Sequence, residues 1–173
     1  HDRVAKMLLR YRTSSLRVQL NLLDSHDTSR FLSDCQGDEN RFKLAEVFLF
    51  TSPGIPCVFY GDELGMDGDT ESAFRGPMLW ERAGLGYSDF FRRLIALRKQ
   101  NLTYGKFRLV RKNEAGLYIF SRSDEEAELI ICLNNSAEEF DISADLQGGE
   151  LLMQEGCSDQ ILGGRGYAIW RKM

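Results

Sequence analysis

A histidine and an aspartate stand side by side where an apolar run of the sequence ends. From Leu16 to Leu22, apolar and polar residues alternate as in a strand, and His26 and Asp27 follow, with small polar residues after them. In a parallel α/β barrel, residues just past the C-terminal end of a strand point into the active site. A carboxylate beside a histidine there could hold a polarised sugar ring, although one such acid cannot cleave a glycosidic bond alone.

The same two residues have a simpler interpretation. Asp27 could cap the turn formed by Thr28, Ser29 and Arg30, since Asp favours such positions. His26 could be a partly buried histidine that is hydrogen-bonded to a backbone carbonyl. The dipeptide by itself leaves the functional and the structural interpretation open.

Two further segments favour the functional interpretation. Residues 54–63, GIPCVFYGDE, form a second strand-like run that ends in a glycine and two acids. Residues 75–80, RGPMLW, combine a cation, a rigid turn and an aromatic ring. Each segment is weak alone, because Glu63 could be an ordinary acid at a helix start and Trp80 could be a loop anchor. In this order and spacing, the three segments together are specific.

Together they resemble the last part of the catalytic domain of the α-amylase superfamily of glycoside hydrolases. NLLDSHDTSRF is similar to the segment at the end of barrel strand seven, GIPCVFYGDELGM to the strand-eight segment, and RGPMLW to the loop after it. Within the superfamily, the chain looks most like the neopullulanase, cyclomaltodextrinase and maltogenic amylase group, in which LLxSHDTxRF is typical. The resemblance covers roughly residues 16–100.

The resemblance implies a function and roles for single residues. The parent would be a retaining hydrolase of α-1,4 or α-1,6 glucosidic bonds in maltooligosaccharides, cyclodextrins or pullulan. Asp27 would be the third catalytic acid, which hydrogen-bonds sugar hydroxyls in the distorted transition state, and His26 would bind the same ring. Arg75 and Glu71 would contact the next sugar, although the group typically has Asp where this chain has Glu71.

The resemblance also indicates what the chain lacks. A retaining glycosidase needs a nucleophilic carboxylate and an acid/base carboxyl group about 5 Å apart. In this family they follow strands four and five, and nothing before residue 16 resembles those segments. We therefore expect a C-terminal fragment that is inactive alone. Its open strand edges favour pairing with a second copy or with the missing N-terminal part.

The remaining pattern predicts two domains. Residues 1–103 read as the C-terminal part of a (β/α)8 TIM barrel, with strands seven and eight and their flanking helices: a helix near 2–12, one capped by Asp38 and one capped by Ser88. Residues 104–173 contain short alternating runs separated by turns, which predict an antiparallel β-sandwich. This second domain could be a carbohydrate-binding module or a packing domain that stabilises the barrel. Its aromatics mostly occupy alternating strand positions, which favours the packing role.

Composition narrows the partners and cofactors. A net charge of -4 and a pI near 5.3 argue against binding to nucleic acid or an anionic membrane. The four cysteines are scattered without a CxxC pair, which favours free thiols in a reducing compartment, the cytoplasm, over a zinc site. The acidic loop 67–71 lacks the ligand spacing of an EF-hand. We expect no metal or cofactor, and an α-glucan oligosaccharide as the substrate.

Overall fold

The computed structural model of the protein describes residues 2–84, 86–101, 105–113, 115–146 and 148–172. Its first part is mainly helical and its second part is an antiparallel sheet. The helices are α1 Asp2–Arg10, α2 Thr13–Val18, α3 Phe31–Asp34, α4 Glu39–Thr51, α5 Glu71–Phe74, α6 Gly86–Asn101 and α7 Ser143–Leu146. The strands are β1 Leu20–Asn21, β2 Ile55–Pro56, β3 Lys106–Lys112, β4 Leu117–Ser123, β5 Glu128–Asn134, β6 Phe140–Asp141, β7 Glu150–Ser158 and β8 Ile161–Lys172.

Helix α4 forms as its sequence predicts. The Asp38 carboxylate accepts hydrogen bonds from the backbone N–H groups of Asn40 at 3.0 Å and Arg41 at 3.1 Å, and so caps the first turn. The helix ends at Thr51, two residues before Pro53. Most of its side chains are buried, since it lies between the parallel strands and the antiparallel sheet.

Strands β1 and β2 pair in parallel and set the position of the candidate site. Leu20 lies opposite Ile55, and Asn21 lies opposite Pro56. Because parallel strands end at the same edge, the loop after β1 and the loop after β2 emerge side by side. Residues far apart in sequence can therefore meet there.

Two sequence predictions for this part are wrong in detail. The residues from Leu16 to Val18 belong to helix α2, and only Leu20 and Asn21 form a strand. Helix α2 begins because the extended backbone of Arg12 presents its carbonyl to the next turn. The third helix begins at Gly86, so that Ser88 lies inside it and donates to the Glu63 carbonyl at 3.2 Å.

The antiparallel sheet has the strand order β3-β4-β5-β8-β6, with β7 also paired to β8. One face packs against α4 and α6 through a cluster that includes Phe120, Ile131 and Ile169. The other face encloses a second apolar cluster that includes Ile119, Ile130 and Leu162. The predicted domain boundary near residue 103 lies outside the described residues.

Polar contacts fasten the sheet to the helical part. The ammonium group of Lys43 on α4 lies 2.8 Å from a carboxylate oxygen of Glu155 on β7. The buried guanidinium of Arg122 on β4 donates to the Thr51 carbonyl at the end of α4, at 2.7 Å. All four cysteines are free thiols. In the described part of the chain, no helix has the length and apolar character needed to cross a membrane.

Candidate active site

The loop after β1 holds His26 and Asp27 in a turn closed by its own side chains. The backbone N–H of Ser25 donates to the Thr28 hydroxyl at 3.0 Å, and the N–H of Asp27 donates to the Ser25 hydroxyl at 3.2 Å. The hydroxyls of Ser25 and Thr28, rather than the Asp27 carboxylate, therefore hold this turn. That carboxylate instead faces His26 and Arg75.

Arg75 contacts the other three predicted site residues. We call the four residues the tetrad: His26, Asp27, Glu71 and Arg75. The Nε–H of Arg75 donates to the His26 carbonyl at 2.8 Å, and its Nη2 lies 3.5 Å from the Asp27 carboxylate. Its Nη1 lies 2.9 Å from the Glu71 carboxylate. The His26 imidazole lies 3.3 Å from the other Asp27 oxygen. The four residues that the sequence singled out are thus brought together.

Arg75 lies in the loop after β2, at the end of helix α5. Helix α5 spans a single turn, so Glu71 and Arg75, four residues apart, lie on the same side of it. The Tyr60 hydroxyl, in the segment that follows β2, donates to the Gly76 carbonyl at 2.8 Å and so holds the residue after Arg75. Arg75 is therefore fixed by its ion pair with Glu71 and by the hydrogen bond to its neighbour Gly76.

The tetrad can bind hydroxyl groups and balance positive charge. The side chains of His26 and Asp27 are 70% and 67% exposed, so a ligand can reach them. A carboxylate held by an arginine stays oriented and still offers lone pairs to hydroxyl donors. Within the described residues, no group of three or more His, Cys, Asp or Glu side chains could hold a metal ion.

Other residues of the three motifs have structural contacts. Glu63 accepts a hydrogen bond from the Gly61 backbone N–H at 2.8 Å. Arg30 is fully buried beside Asp62, with 3.3 Å between the guanidinium and the carboxylate. Trp80 is 72% exposed, which disagrees with a role as an anchor packed on the core within this chain.

The sequence reasoning assigned no role to three acids near the site. Asp24, Glu46 and Asp62 are buried; Asp62 lies 3.3 Å from the Arg30 guanidinium, and Asp24 and Glu46 lie close to Asp62. A sequence signal existed for two of them, because Glu46 interrupts an apolar run and Asp24 directly follows Leu22 and Leu23. Burial of unpaired acids is costly, so such interruptions call for an explanation.

The described geometry defines the class of protein. It is an α/β domain in which the loops at the C-terminal edge of parallel strands carry the polar site. The family model for the α-amylase catalytic domain matches residues 2–88, half of the chain. The chain therefore belongs to the α-amylase family.

Individual relatives agree with this assignment. Neopullulanase 2 of Thermoactinomyces vulgaris is 43% identical over 68% of this chain and 21% of its own length. A cyclomaltodextrinase of Thermoanaerobacter pseudethanolicus is 39% identical over 79% of this chain and 24% of its own length. The acarbose-soaked debranching enzyme of Nostoc punctiforme superposes with a TM-score of 0.83 at 28% identity, over 98% of this chain and 37% of that one. The chain thus spans about a fifth to a quarter of the two curated relatives and over a third of this solved structure.

Proposed function

We propose that this chain is the sugar-holding part of a retaining α-glucan hydrolase. The bonds attacked would be α-1,4 or α-1,6 glucosidic bonds of maltooligosaccharides, cyclodextrins or pullulan. The observation that carries the proposal is the tetrad, in which Arg75 joins the β1 loop to the β2 loop at a shared strand edge. Neopullulanase and cyclomaltodextrinase relatives support the same substrate class.

Each tetrad residue has a role in this proposal. Asp27 accepts hydrogen bonds from hydroxyls of the reacting sugar, and these strengthen as the ring distorts towards an oxocarbenium ion. His26 binds hydroxyls of the same ring from the neighbouring position. Arg75 orients Asp27 and, together with Glu71, contacts the next sugar.

The architecture belongs to the same proposal. Residues 1–103 would supply strands seven and eight of a (β/α)8 barrel with their helices, and residues 104–173 a C-terminal sandwich. The parallel pairing of β1 with β2 and the two apolar faces of the later sheet support this division. The four free thiols agree with a cytoplasmic location.

The later sheet is better suited to packing than to binding sugar. Phe107 and Phe120 stack with ring centroids 5.0 Å apart, and Phe120 and Tyr167 are buried. Tyr167 lies 6.3 Å from the Phe90 ring of α6, so it joins the sheet to the helical part. Aromatic rings that pack in this way have no face free to stack on a sugar. Tyr104, which the sequence also offers as an aromatic that could stack on sugar, lies outside the described residues.

The chain alone is expected to show no hydrolysis above background. Asp27 holds the sugar, whereas bond cleavage needs a nucleophile and an acid/base that this sequence does not supply in recognisable form. Purified chain should be assayed on maltotriose, cyclodextrin and pullulan, with Asp27→Asn protein from the same host as the control for contaminating amylase. Turnover that the wild-type chain shows and the variant lacks would reject this prediction.

The chain is also expected to associate, with a second copy or with the part of the barrel that precedes it. Val18, Leu20, Leu22 and Ile55 expose their side chains around the short parallel strands. Such an apolar edge favours pairing. A Leu20→Ser, Ile55→Ser double variant should sediment more slowly than wild type at micromolar concentration, whereas Leu151→Ser, at an exposed position on β7, should not. A monodisperse wild-type monomer would contradict the prediction.

A further inference from the structure

A buried polar cluster lies near the tetrad. It consists of Asp24, Arg30, Glu46 and Asp62, none of which is more than 3% exposed. Three carboxyl groups and one guanidinium occupy an interior that otherwise excludes water, and full ionisation would leave two uncompensated negative charges there. Ionised groups in such surroundings are strongly disfavoured unless they are paired, so the cluster is expected to retain protons.

Arg30 joins three segments of the site region. Its guanidinium donates to the Tyr60 carbonyl and lies 3.3 Å from the Asp62 carboxylate, both in the segment that follows β2. The same group lies over the Phe59 ring, 4.2 Å from the centroid. Its backbone N–H donates to the Gly68 carbonyl at 2.8 Å, in the loop that leads to Arg75. Arg30 therefore fixes the loop after β1 against the loop after β2, both near Tyr60 and at Gly68.

Asp24 joins the cluster to the start of α3. One Asp24 carboxylate oxygen accepts the Phe31 backbone N–H at 2.7 Å, at the start of α3. With three carboxyl groups and one cation in the cluster, charge balance favours a proton on one of the acids. Burial, and then the charge of Asp24, raise the pKa of Asp62 well above its ordinary value. Glu46, on α4, adds a further acid to the same surroundings, and Arg30 is the cation that opposes them.

Tyr60 connects this cluster to the tetrad. Its carbonyl receives the Arg30 guanidinium, and its hydroxyl holds Gly76 beside Arg75. Asp24 lies three residues before Asp27 in the same loop. Any shift of β2 relative to the β1 loop would therefore move Arg75 relative to Asp27.

We propose that Asp24, Arg30 and Asp62, as one buried cluster, position Asp27 and Arg75 for the sugar. The inference rests on the proposed function for the identity of the ligand, and on the structure alone for the control of the loop. These three are positioning residues, because they act through the backbone of the two loops. Loss of the proton on Asp62 should loosen the tetrad.

The test compares the whole chain with its Asp62→Asn and Asp62→Ala variants, all carrying Glu46→Gln, because the Glu46 proton would otherwise be lost in the same pH range. Wild type in this comparison is the Glu46→Gln chain with Asp62 intact. Asparagine has nearly the shape of a protonated aspartate and keeps an N–H donor at every pH, whereas alanine removes the link. Carbon-13 signals of residues 26–31 and of the Arg75 guanidinium carbon, which do not exchange with water, are followed by NMR from about pH 6 to about pH 10. Asp69→Asn, at an exposed position in the neighbouring loop, is the charge-matched control.

The wild-type and Asp69→Asn signals are expected to shift in one transition as the Asp62 proton is lost. The Asp62→Asn signals should show no such transition, and the Asp62→Ala signals should resemble high-pH wild type throughout. The inference is overturned if Asp62→Asn shows the wild-type transition. It is also overturned if folded Asp62→Ala keeps the low-pH wild-type signals, and if Asp62→Ala does not fold, the Asp62→Asn comparison decides alone.

Maltotriose added to the same samples separates this inference from the proposed function. Wild-type binding should weaken roughly tenfold across the transition, the loss expected from one hydrogen bond to a charged group, and Asp62→Asn binding should stay constant. A loop transition without maltotriose binding at any pH would reject the proposed function and retain the loop control. A maltotriose affinity that stays constant across the wild-type transition would reject the positioning role.

Discussion

An Asp27→Asn substitution is expected to lower the kcat of the assembled hydrolase on the order of a thousandfold while leaving the fold unchanged. The reason is that a carboxylate stabilises positive charge that develops on the sugar ring, whereas an amide of the same shape does not. The Asp27 side chain is 67% exposed and contacts only tetrad partners in the described residues, so stability should change little. The measurement is steady-state hydrolysis of cyclodextrin or pullulan.

The assembled hydrolase for this experiment is the chain joined behind the upstream part of the Thermoactinomyces vulgaris neopullulanase 2. Asp89→Asn is the matched control, because Asp89 is an exposed acid that pairs with Arg92 on α6. Its kcat should equal that of wild type. If Asp27→Asn retained more than about a tenth of the activity, Asp27 would not be the third catalytic acid.

A Glu46→Gln substitution is expected to raise the free energy of unfolding by on the order of 4 kcal/mol above about pH 8. Burial of Glu46, and then the charge of Asp24, raise the pKa of its carboxyl group from 4.5 to about 8. Because the folded state binds this proton more tightly, the stability it contributes is complete below about pH 4.5. That stability is lost as the pH rises towards about 8.

Denaturant unfolding across the range from about pH 5 to about pH 9 measures this effect. Wild type should lose stability steadily with rising pH, and Glu46→Gln should follow a flatter curve because glutamine has no proton to lose. Glu125→Gln changes an acid in an exposed turn and should keep the wild-type slope. Equal slopes for wild type and Glu46→Gln would show that Glu46 does not carry this proton.

Local signals in the sequence predicted the secondary structure best where the residues interact with their own neighbours. The Asp38 cap and the end of α4 before Pro53 are of this kind, because both depend on contacts within a few residues. The strand predicted from Leu16 was wrong, because the residues with alternating polarity form the end of helix α2 and the two-residue strand β1. The exposed side chains of Val18, Leu20 and Leu22 show that this alternation does not mark a face buried within the chain.

The residues of the candidate site could be named from the sequence, but their arrangement could not. His26 and Arg75 are 49 residues apart, and their hydrogen bond exists because parallel pairing of β1 and β2 brings two loops to one edge. The Glu71–Arg75 ion pair joins residues only four apart, whereas the approach of Arg75 to Asp27 at 3.5 Å depends on the tertiary structure.

What the sequence by itself determined is the family and the identity of the tetrad. The three motifs, in their order and spacing, carry that information without any knowledge of packing. Only the tertiary structure decided that Asp24, Glu46 and Asp62 surround a fully buried Arg30. The physical reason is that the ionisation of a carboxyl group depends on the water and charges around it, and these are set by which elements pack together.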